Sequence, residues 1–371
     1  MSKTEWKECL LGDFIELHRG YDLTKSSIVE GPYPVVCSTS IMGYHNEFKV
    51  KGPGVVIGRS GTLGEVQYVD SNYWPHNTSL YVSDFKGNDP KFVKYFLQRL
   101  GTGNVGSGSA VPTLNRNHIQ ALKIKYPPLA EQQRIAKILS SLDDKIELNN
   151  AINRNLKEQA QAIFKSWFVD GKEKNGVIGD YCDIRSGFAF KSSWWQSQGV
   201  KVIRIGDIEQ DCLNLNTCNC VSENKKDAAK NFIVQGGDLV IAMTGATIGK
   251  FAMIPEIHET ILVNQRVGKF FLGDYPLEKV PFIYCTLKQD EIITEFINRG
   301  QGSAQPNISA VDILSIACWI PEEPEINKFN QIVKPLFGKI ILNQKENQNL
   351  AILRDSLLPR LMSGELTLGN L

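Results

Sequence analysis

The sequence patterns that commonly mark a reactive site occur here only in incomplete form. The segment GTGNVG, from Gly101 to Gly106, has the GxGxxG spacing of a dinucleotide-binding turn, but SGSAVPT follows it instead of a helix that could receive a pyrophosphate. The segment GATIGKF, from Gly245 to Phe251, has one residue too few for a phosphate-binding loop and a phenylalanine where a magnesium-binding Ser or Thr belongs. Neither pattern predicts a nucleotide site.

Histidines and cysteines do not form a recognisable reactive centre either. None of the five histidines stands in an HExxH motif or beside a Cys or Ser in a nucleophile setting. Cys212, Cys218 and Cys220 cluster without a CxxC pair, so a structural zinc site is disfavoured. The segment KYPPLAE lacks the aromatic residue of a Pro-Pro-aromatic methyltransferase motif and favours a helix start. The sequence therefore favours a binding protein, without a metal, over an enzyme.

Length and composition restrict the class of protein. A chain of 371 residues exceeds what one hydrophobic core usually serves, so two or three domains are expected. No segment has the roughly 20 consecutive apolar residues of a membrane helix, and MSKTEWKECL lacks the apolar stretch of a signal peptide. The eight cysteines are scattered rather than arranged as a disulfide framework. We expect a cytoplasmic protein with reduced thiols and no membrane partner.

Charge by itself does not indicate a nucleic-acid partner, because the net charge is only +1. Residues 1–128 carry 14 Lys and Arg against 11 Asp and Glu, which gives +3. Residues 171–320 carry 15 against 17, which gives −2. The second region is therefore a poor candidate for DNA binding on charge alone.

An internal repeat covers nearly the whole chain. LGDFIELHRGY matches IGDYCDIRSGF at an offset of 167 residues, from Leu11 to Ile178. GVVIGRSGTLG matches DLVIAMTGATIG with Gly61 and Gly245 184 residues apart, and GSAVPTL matches GSAQPNI at an offset of 194. Because the offset grows and then stays constant, each copy consists of a variable globular part followed by a part of fixed length.

The parts of fixed length, PPLAEQQRIAKILSSLDDKIELNN and PEEPEINKFNQIVKPLFGKIILNQ, have the heptad spacing of long helices. One heptad position is occupied by Ile135, Leu142, Asn149, Leu156 and Ile163 in the first copy and by Phe329, Leu336, Asn343, Leu350 and Leu357 in the second. About 40 helical residues span roughly 60 Å, which is longer than the core of a small domain. The two helices are therefore expected to pack against each other as an antiparallel coiled coil.

Four asparagines, Asn149, Asn153, Asn343 and Asn347, interrupt the apolar positions near the middle of the two helices. A buried asparagine lowers stability but selects one register. In an antiparallel pair we expect Asn149 and Asn343 to meet near a pseudo-twofold axis and to form a polar central layer.

Prolines and short strand patterns complete the predicted fold. Pro335 should bend the second helix and Pro359 should bend or end it, whereas IFKSWF is expected to continue the first helix.

Short strands such as VKVIRIGDI, with helices such as PKFVKYFLQRL, predict mixed globular parts. The predicted fold class is α+β: two similar mixed α/β domains joined and separated by two long antiparallel helices, with a pseudo-twofold repeat. The predicted boundaries are 1–126 and 171–320 for the two globular domains, 127–170 for the first helix, and 321–371 for the second helix and tail.

The order of variable domain, PPLAEQQRIAKILSSLDDKIELNNAI helix, second variable domain, second helix and terminal LRDSLLPRLMSGEL resembles the DNA-specificity subunit of type I restriction-modification enzymes. The resemblance extends over almost all of the chain. It implies a non-catalytic subunit in which each globular, target-recognition domain reads one half of a bipartite, asymmetric site in double-stranded DNA. It also implies that the helices act as a spacer that sets the gap between the half-sites.

The resemblance further implies partner subunits that perform the chemistry. Two modification subunits would bind around the helices and methylate adenine with S-adenosylmethionine, and restriction and translocase subunits would use ATP. No cofactor is expected on this chain. An alternative interpretation of the repeat is a helical scaffold with two protein-binding domains. Because the second domain is not basic, we expect the partner subunits to supply many of the phosphate contacts.

Candidate DNA-contacting residues are polar side chains on the repeated loops, since direct readout needs donors and acceptors and phosphates favour Arg, Lys, Ser and Thr. In the first domain the candidates are Arg59, Ser60, Thr62, Asn77, Ser107, Ser109, Asn115 and Arg116. In the second domain they are Thr244, Thr247, Lys250, Gln265, Arg266, Gln301, Ser303 and Gln305. Arg19 and Arg185 are weaker candidates. The alternative is that the glycines shape tight turns and the polar residues only cap them.

Overall fold

The structure, a computed structural model, describes residues 6–60, 63–101, 114–300 and 306–366. The chain divides into two units, one formed by Met1–Lys145 with Leu350–Leu371 and the other by Ile146–Asn349. Each unit therefore contains one globular domain and a portion of both long helices.

The first unit is built on a four-stranded antiparallel sheet and a smaller mixed sheet. Its elements are β1 (Lys7–Leu10), α1 (Leu11–Phe14), β2 (Glu16–Arg19), β3 (Tyr33–Val36), β4 (Ile41–His45), β5 (Gly54–Gly58), β6 (Val66–Val69), β7 (Trp74–Pro75), β8 (Ser79–Asp84), α2 (Pro90–Leu100), α3 (Arg116–Gln120), β9 (Lys123–Tyr126) and the start of α4 (Leu129–Phe164). The main sheet has the order β2-β8-β5-β6, the smaller sheet has the order β4-β3-β7, and β1 pairs with β9. In the smaller sheet β3 is parallel to β7.

Local sequence explains the position of α2 against the main sheet. The Asp89 side chain accepts a hydrogen bond from the Phe92 amide at 2.8 Å, Pro90 occupies the first turn, and Gly101 ends the helix in the left-handed region with φ of 58°. Phe92 and Phe96 are four residues apart, as are Val93 and Leu97, and all four side chains are buried. The helix therefore covers the sheet with one apolar face.

The second unit repeats this architecture with additional strands. Its elements are β10 (Gly176–Val177), β11 (Asp183–Ser186), β12 (Trp195–Gln196), β13 (Val200–Ile203), β14 (Ile208–Glu209), β15 (Cys212–Leu213), β16 (Asn219–Val221), β17 (Ile233–Val234), β18 (Leu239–Ala242), β19 (Phe251–Met253), β20 (Ile261–Val263), β21 (Val267–Phe271), α5 (Val280–Leu287), α6 (Asp290–Gly300), α7 (Ala310–Leu314), β22 (Ala317–Cys318) and α8 (Glu323–Met362). The main sheet has the order β11-β21-β18-β19, and β10 pairs with β22.

The two domains have the same strand topology. The main sheets correspond strand for strand in chain order, and the parallel pair β13-β20 with antiparallel β16 corresponds to β3-β7 with β4. The second domain adds the β14-β15 hairpin and strands β12 and β17, which explains why the repeat offset grows along the globular part. The predicted α+β class with two similar domains is confirmed. The predicted boundaries, near residues 126 and 320 among others, stay predictions.

The long helices α4 and α8 run antiparallel to each other within each unit. In the second unit the rings of Phe164 and Phe329 are 5.7 Å apart, and Asn153 contacts Asn343. In the first unit Arg354 donates to Asp143 at 2.8 Å. Numbers rise on one helix as they fall on the other, as predicted. After Phe164 the chain continues as a π-helical turn, Lys165–Val169.

Neither proline terminates α8; of the bend or end predicted at Pro359, the end does not occur and the bend stays a prediction. The helix runs through Pro335 and Pro359 to Met362. A proline leaves the carbonyl four residues earlier without its helical donor, here those of Gln331 and Asp355. Both prolines and both of these residues are exposed, so water can satisfy the carbonyls. The expected bend near Pro335 stays a prediction.

A buried layer of asparagines connects the two helices in the second unit. Asn149 and Asn343 are each only 1% exposed. Asn149 Nδ2 donates to Asn347 Oδ1 at 2.9 Å and to Glu346 at 2.7 Å, and Asn343 Nδ2 donates to Asn153 Oδ1 at 2.8 Å. The predicted polar layer is thus present and buried.

The pairing within this layer differs from the prediction, because Asn149 donates to Asn347 while Asn343 donates to Asn153. Asn149 and Asn343 are equivalent positions 194 residues apart, as are Asn153 and Asn347. The repeat therefore exchanges the pair Asn149–Asn347 with the pair Asn153–Asn343. In this register positions 149 and 153 of α4 lie opposite positions 347 and 343 of α8.

An aspartate side chain joins the globular part of the first unit to both long helices. In the first unit Asp143 of α4 accepts from Tyr95 Oη at 2.6 Å, from Lys94 Nζ at 2.7 Å and from Arg354 at 2.8 Å. Burial raises the pKa of Asp143, but the three hydrogen bonds together outweigh burial and hold its pKa below the ordinary value for an aspartate. The carboxylate thus stays charged while it joins α2 to both helices.

The second unit makes the same type of contact with an aspartate from another element. Tyr284 Oη donates to Asp211 Oδ1 at 2.6 Å, and Lys288 Nζ lies 2.8 Å from Asp211 Oδ2. Asp211 lies in the turn of the added β14-β15 hairpin with φ of 65°. Lys157 of α4 donates to its backbone carbonyl at 3.4 Å. The added hairpin therefore connects the second domain to α4.

We expect Asn343→Ala to lower the free energy of unfolding by about 1–3 kcal/mol, because it leaves the buried Asn153 Oδ1 without its donor. The double variant Asn153→Leu/Asn343→Leu should be about neutral or more stable, because it removes both polar partners. Urea denaturation of the three proteins measures this difference. A double variant as unstable as Asn343→Ala would contradict the proposed pairing.

Candidate nucleic-acid interface

Three of the predicted loops of the first domain meet at one end of the main sheet. The Arg59 amide, just after β5, donates to the Thr78 carbonyl at 2.9 Å, and the Ser60 amide donates to the same carbonyl at 3.1 Å. The Leu114 amide, just before α3, donates to the Arg59 carbonyl at 2.9 Å. These backbone bonds define the loop network of the first domain: residues 59–60, 76–78 and 114–116.

A buried serine that the sequence did not single out supports this loop network. The Ser38 hydroxyl lies 2.8 Å from the Ser60 carbonyl and 2.5 Å from the Thr78 carbonyl. It therefore joins two loops that are distant in sequence. The surrounding CSTS segment carries no motif, so only the folded chain identifies this residue.

The second domain repeats two of these three backbone bonds at the equivalent positions. The Met243 amide donates to the Arg266 carbonyl at 3.0 Å, and the Ile308 amide donates to the Met243 carbonyl at 2.9 Å. Met243, Arg266 and Ile308 correspond to Arg59, Thr78 and Leu114. The loop network of the second domain is therefore residues 243–250, 264–266 and 306–308.

The candidate side chains of the first domain differ in how they are engaged. Asn77 donates through Nδ2 to Asp22, which also forms an ion pair with Arg19 at 3.3 Å. Arg59 is within 3.4 Å of the Asn77 carbonyl.

Asn115 caps α3 by accepting a hydrogen bond from the Asn117 amide at 3.0 Å. This agrees with the alternative that polar loop residues cap turns rather than contact DNA. Arg116 is exposed and has no side-chain partner within the described residues. The Ser60 backbone is engaged at both ends: its amide donates to the Thr78 carbonyl, and its carbonyl accepts from the Ser38 hydroxyl. Among the candidates in 114–116, Arg116 is therefore the one whose donors are available.

In the second domain the available donors lie on two of the loops. The side chains of Lys250, Gln265 and Arg266 form no hydrogen bond or ion pair with any described residue, and Gln265 and Arg266 are exposed. Thr247 Oγ1 donates to the Thr244 carbonyl at 3.3 Å, so it shapes its own turn. Thr244 Oγ1 is buried without a partner in the described part of the chain.

The weaker candidate Arg185 is engaged elsewhere. It forms an ion pair with Asp183 at 3.1 Å, and its guanidinium lies 4.7 Å from the centre of the Phe271 ring. Thr62, Ser107, Ser109, Gln301, Ser303 and Gln305 lie outside the described residues. The DNA-contacting roles of all the candidate residues stay predictions.

The repeated glycine of each domain opening allows a close backbone approach to the turn of the loop network. A Cβ on Gly20 would lie 2.1 Å from the His76 carbonyl oxygen, and a Cβ on Gly187 would lie 2.2 Å from that of Val263. The residues that follow, Tyr21 and Phe188, form parallel bridges to the 76–78 and 264–266 turns. The motifs HRGY and RSGF are thus repeated for a steric reason.

The arrangement offers hydrogen-bond donors and cations rather than reactive groups. Burial raises the pKa of the Cys182 and Cys318 thiols to about 12, so these cysteines are not thiolates at neutral pH. In the described ranges there is no group of three or more His, Cys, Asp or Glu residues that could hold a metal ion. None of the described helices is long and apolar enough to cross a membrane.

Comparison with known proteins places these features in a family. The family model described as "Type I restriction modification DNA specificity domain" matches residues 3–158 and 172–351. The type I restriction enzyme MjaVIII specificity subunit of Methanocaldococcus jannaschii is 23% identical over 401 residues, covering 99% of this chain and 94% of the relative. The type I restriction enzyme HindI specificity subunit of Haemophilus influenzae is 24% identical, covering 69% of this chain and 71% of the relative.

A solved structure supports the fold. The crystal structure of the S subunit of a type I restriction-modification system from M. genitalium aligns with a TM-score of 0.60 at 19% identity. The alignment covers 97% of each chain.

We expect Gly187→Ala to destabilise the second domain by about 1–3 kcal/mol, because the added methyl group would overlap the Val263 carbonyl. Gly206→Ala is the matched control, since a Cβ there would meet no atom within 4 Å, and it should change stability little. Thermal unfolding of both variants measures the difference. Equal stability of the two variants would show that the close approach at Gly187 is not required.

Proposed function

The chain belongs to the type I restriction-modification DNA specificity family, and from this premise we propose how it selects DNA. It is the non-catalytic, DNA-recognising subunit of a restriction-modification complex. Each domain reads one half of a bipartite, asymmetric site in double-stranded DNA. The observation that supports this proposal is the pair of loop networks, which share two backbone bonds at equivalent positions.

Different side chains on the same backbone network account for an asymmetric site. The positions of Arg59, Asn77 and Thr78 in the first domain correspond to Met243, Gln265 and Arg266 in the second. The backbone bonds hold both loops in one geometry, while the side chains present different donors, acceptors and apolar groups. Because base edges differ in these same properties, the two domains are expected to prefer different half-sites.

The two long helices act as the spacer between the half-sites. Both are uninterrupted, with 36 residues in α4 and 40 in α8. A continuous helix rises about 1.5 Å per residue, so its length follows from its residue count. The number of unread base pairs between the half-sites is therefore expected to depend on these helices and not on the loop residues.

Two copies of a methyltransferase subunit are the proposed partners of the helices. Leu148 on α4 and Leu342 on α8 are 194 residues apart in the repeat and are 55% and 56% exposed. Exposed leucines at equivalent positions favour two identical docking positions over one. These subunits would carry S-adenosylmethionine and methylate adenine, while restriction and translocase subunits would use ATP.

The charge of the chain suggests that binding is shared with these partners. Residues 171–320 carry 15 basic against 17 acidic side chains, a difference of −2. Tight DNA binding depends strongly on neutralising phosphates, so the partner subunits are expected to supply many phosphate contacts. A complex that acts on cellular DNA in this way would be located in the cytoplasm.

We expect genome-wide mapping of methylated adenine to reveal a bipartite motif that disappears when the gene for this chain is deleted. Complementation with the full chain should restore it. Complementation with a chain shortened by one heptad in α4 and the matching heptad in α8 should restore the same half-sites with a different gap. If deletion left all methylated motifs intact, the alternative of a helical scaffold with two protein-binding domains would be favoured instead.

We expect Leu148→Asp and Leu342→Asp each to remove one methyltransferase subunit from the complex, and the double variant to remove both, because a buried unpaired carboxylate disfavours docking. Native mass spectrometry of the reconstituted complex counts the subunits. Gln331→Asp, at an exposed polar position of α8, is the control and should retain both. A double variant that still binds two subunits would contradict this docking surface.

A further inference from the structure

The second domain holds two lysines over the ring of a half-buried tryptophan. Trp194 ends the 3-10 helical turn Ser192–Trp194. Lys225 Nζ lies 4.7 Å and Lys191 Nζ lies 5.7 Å from the centre of the Trp194 ring. Phe188 stacks on the same ring, with 6.2 Å between centres and 13° between planes. We name Lys191, Trp194 and Lys225 the basic-aromatic cluster.

The two lysines of the cluster are not neutralised by carboxylates. Neither Lys191 nor Lys225 forms an ion pair or hydrogen bond through Nζ with any residue in the described ranges. Other lysines of this domain do have acidic partners: Lys201 contacts Glu259 at 2.7 Å. An aromatic face attracts an ammonium group without removing its charge. The cluster therefore restrains two cations and leaves their donors available to an anion.

The cluster adjoins the loop network of the second domain. The Phe188 amide donates to the Val263 carbonyl at 2.8 Å, and the Gln265 amide donates to the Phe188 carbonyl at 3.0 Å. Phe188 thus contacts Trp194 on one side and the turn with exposed Gln265 and Arg266 on the other. The lysines extend the donor surface of that turn.

The first domain has hydroxyl groups at the corresponding place. The repeat offset of 167 puts Ser27 at the position of Trp194 and Thr24 at that of Lys191. Thr24 Oγ1 lies 2.6 Å from Ser27 Oγ and 3.1 Å from Ser26 Oγ. The basic-aromatic cluster thus occurs in the domain whose overall charge is less favourable for DNA.

We propose that Lys191 and Lys225, positioned by Trp194, bind two phosphates of the DNA backbone beside the half-site read by the second domain. This inference rests on the proposed function and adds a phosphate-binding surface to it. Its contacts carry no base information, so they anchor the domain without changing its sequence preference. They concentrate positive charge locally in a domain whose net charge is not positive.

The test is the double variant Lys191→Gln/Lys225→Gln in the complex with the methyltransferase subunits. Binding is measured over a salt series with two duplexes, one that contains the methylated motif and one that lacks it. We expect affinity for both duplexes to fall about tenfold at low salt. The slope of log affinity against log salt should decrease in magnitude by about 2, because about 0.9 is lost for each phosphate contact. The methylated motif in cells should stay the same.

The control is Lys174→Gln/Lys279→Gln, which removes the same charge from the same domain. Lys174 pairs with Glu291, and the Lys279 carbonyl accepts from Tyr181, so both lie in another part of the domain. This variant should bind both duplexes with nearly the wild-type salt slope. Equal thermal stability of all three proteins confirms that each is folded.

Two outcomes would overturn the inference while leaving the proposed function intact. One is a wild-type affinity and salt slope for the Lys191→Gln/Lys225→Gln variant. The other is a changed methylation motif, which would mean that the cluster reads bases. Failure of the proposed function would be distinguishable, because the wild-type complex itself would then bind the two duplexes equally.

Discussion

Hydrogen bonds between buried asparagines are the constraint that selects one register for the two long helices. An apolar heptad pattern alone would tolerate displacement by a heptad, because leucine and isoleucine pack similarly at successive positions. A displaced register would leave Asn149 and Asn343, each 1% exposed, without their partners. Such buried polar groups are costly when unpaired. The polar layer therefore lowers the stability of the helix pair but selects a single register.

The globular domains show how one scaffold can serve two recognition tasks. The strand order of the main sheets, the glycines beside the turn and two backbone bonds between loops are the same in both. The side chains at the loop positions are different, as at Asn77 and Gln265. Recognition can therefore diverge between the domains while the backbone that positions it is retained. The basic-aromatic cluster at Trp194 is a further difference, since Thr24 and Ser27 of the first domain stand at the positions of Lys191 and Trp194.

The two domains are attached to the long helices through aspartates from different elements. Both units bond a tyrosine hydroxyl of the helix after the main sheet to an aspartate, Tyr95 to Asp143 and Tyr284 to Asp211. Asp143 belongs to α4 itself, whereas Asp211 comes from the hairpin added in the second domain. The contact is preserved in its chemistry although its residues are not equivalent in the repeat. The added hairpin thus has a structural role in joining the domain to α4.

The repeat, the antiparallel helices, the α+β class and the loops with polar side chains could all be predicted from the amino-acid sequence. These follow from local patterns: heptad spacing over many residues and matched motifs such as HRGY and RSGF. Which asparagines pair follows only from the folded chain, because it depends on the register in which two segments distant in sequence pack. The tertiary structure also decided that Pro359 lies inside α8, since exposure of the unpaired carbonyl is a property of the folded surface. The roles of Ser38, Asp211 and Trp194 depend on contacts between distant segments, and no local pattern encodes such contacts.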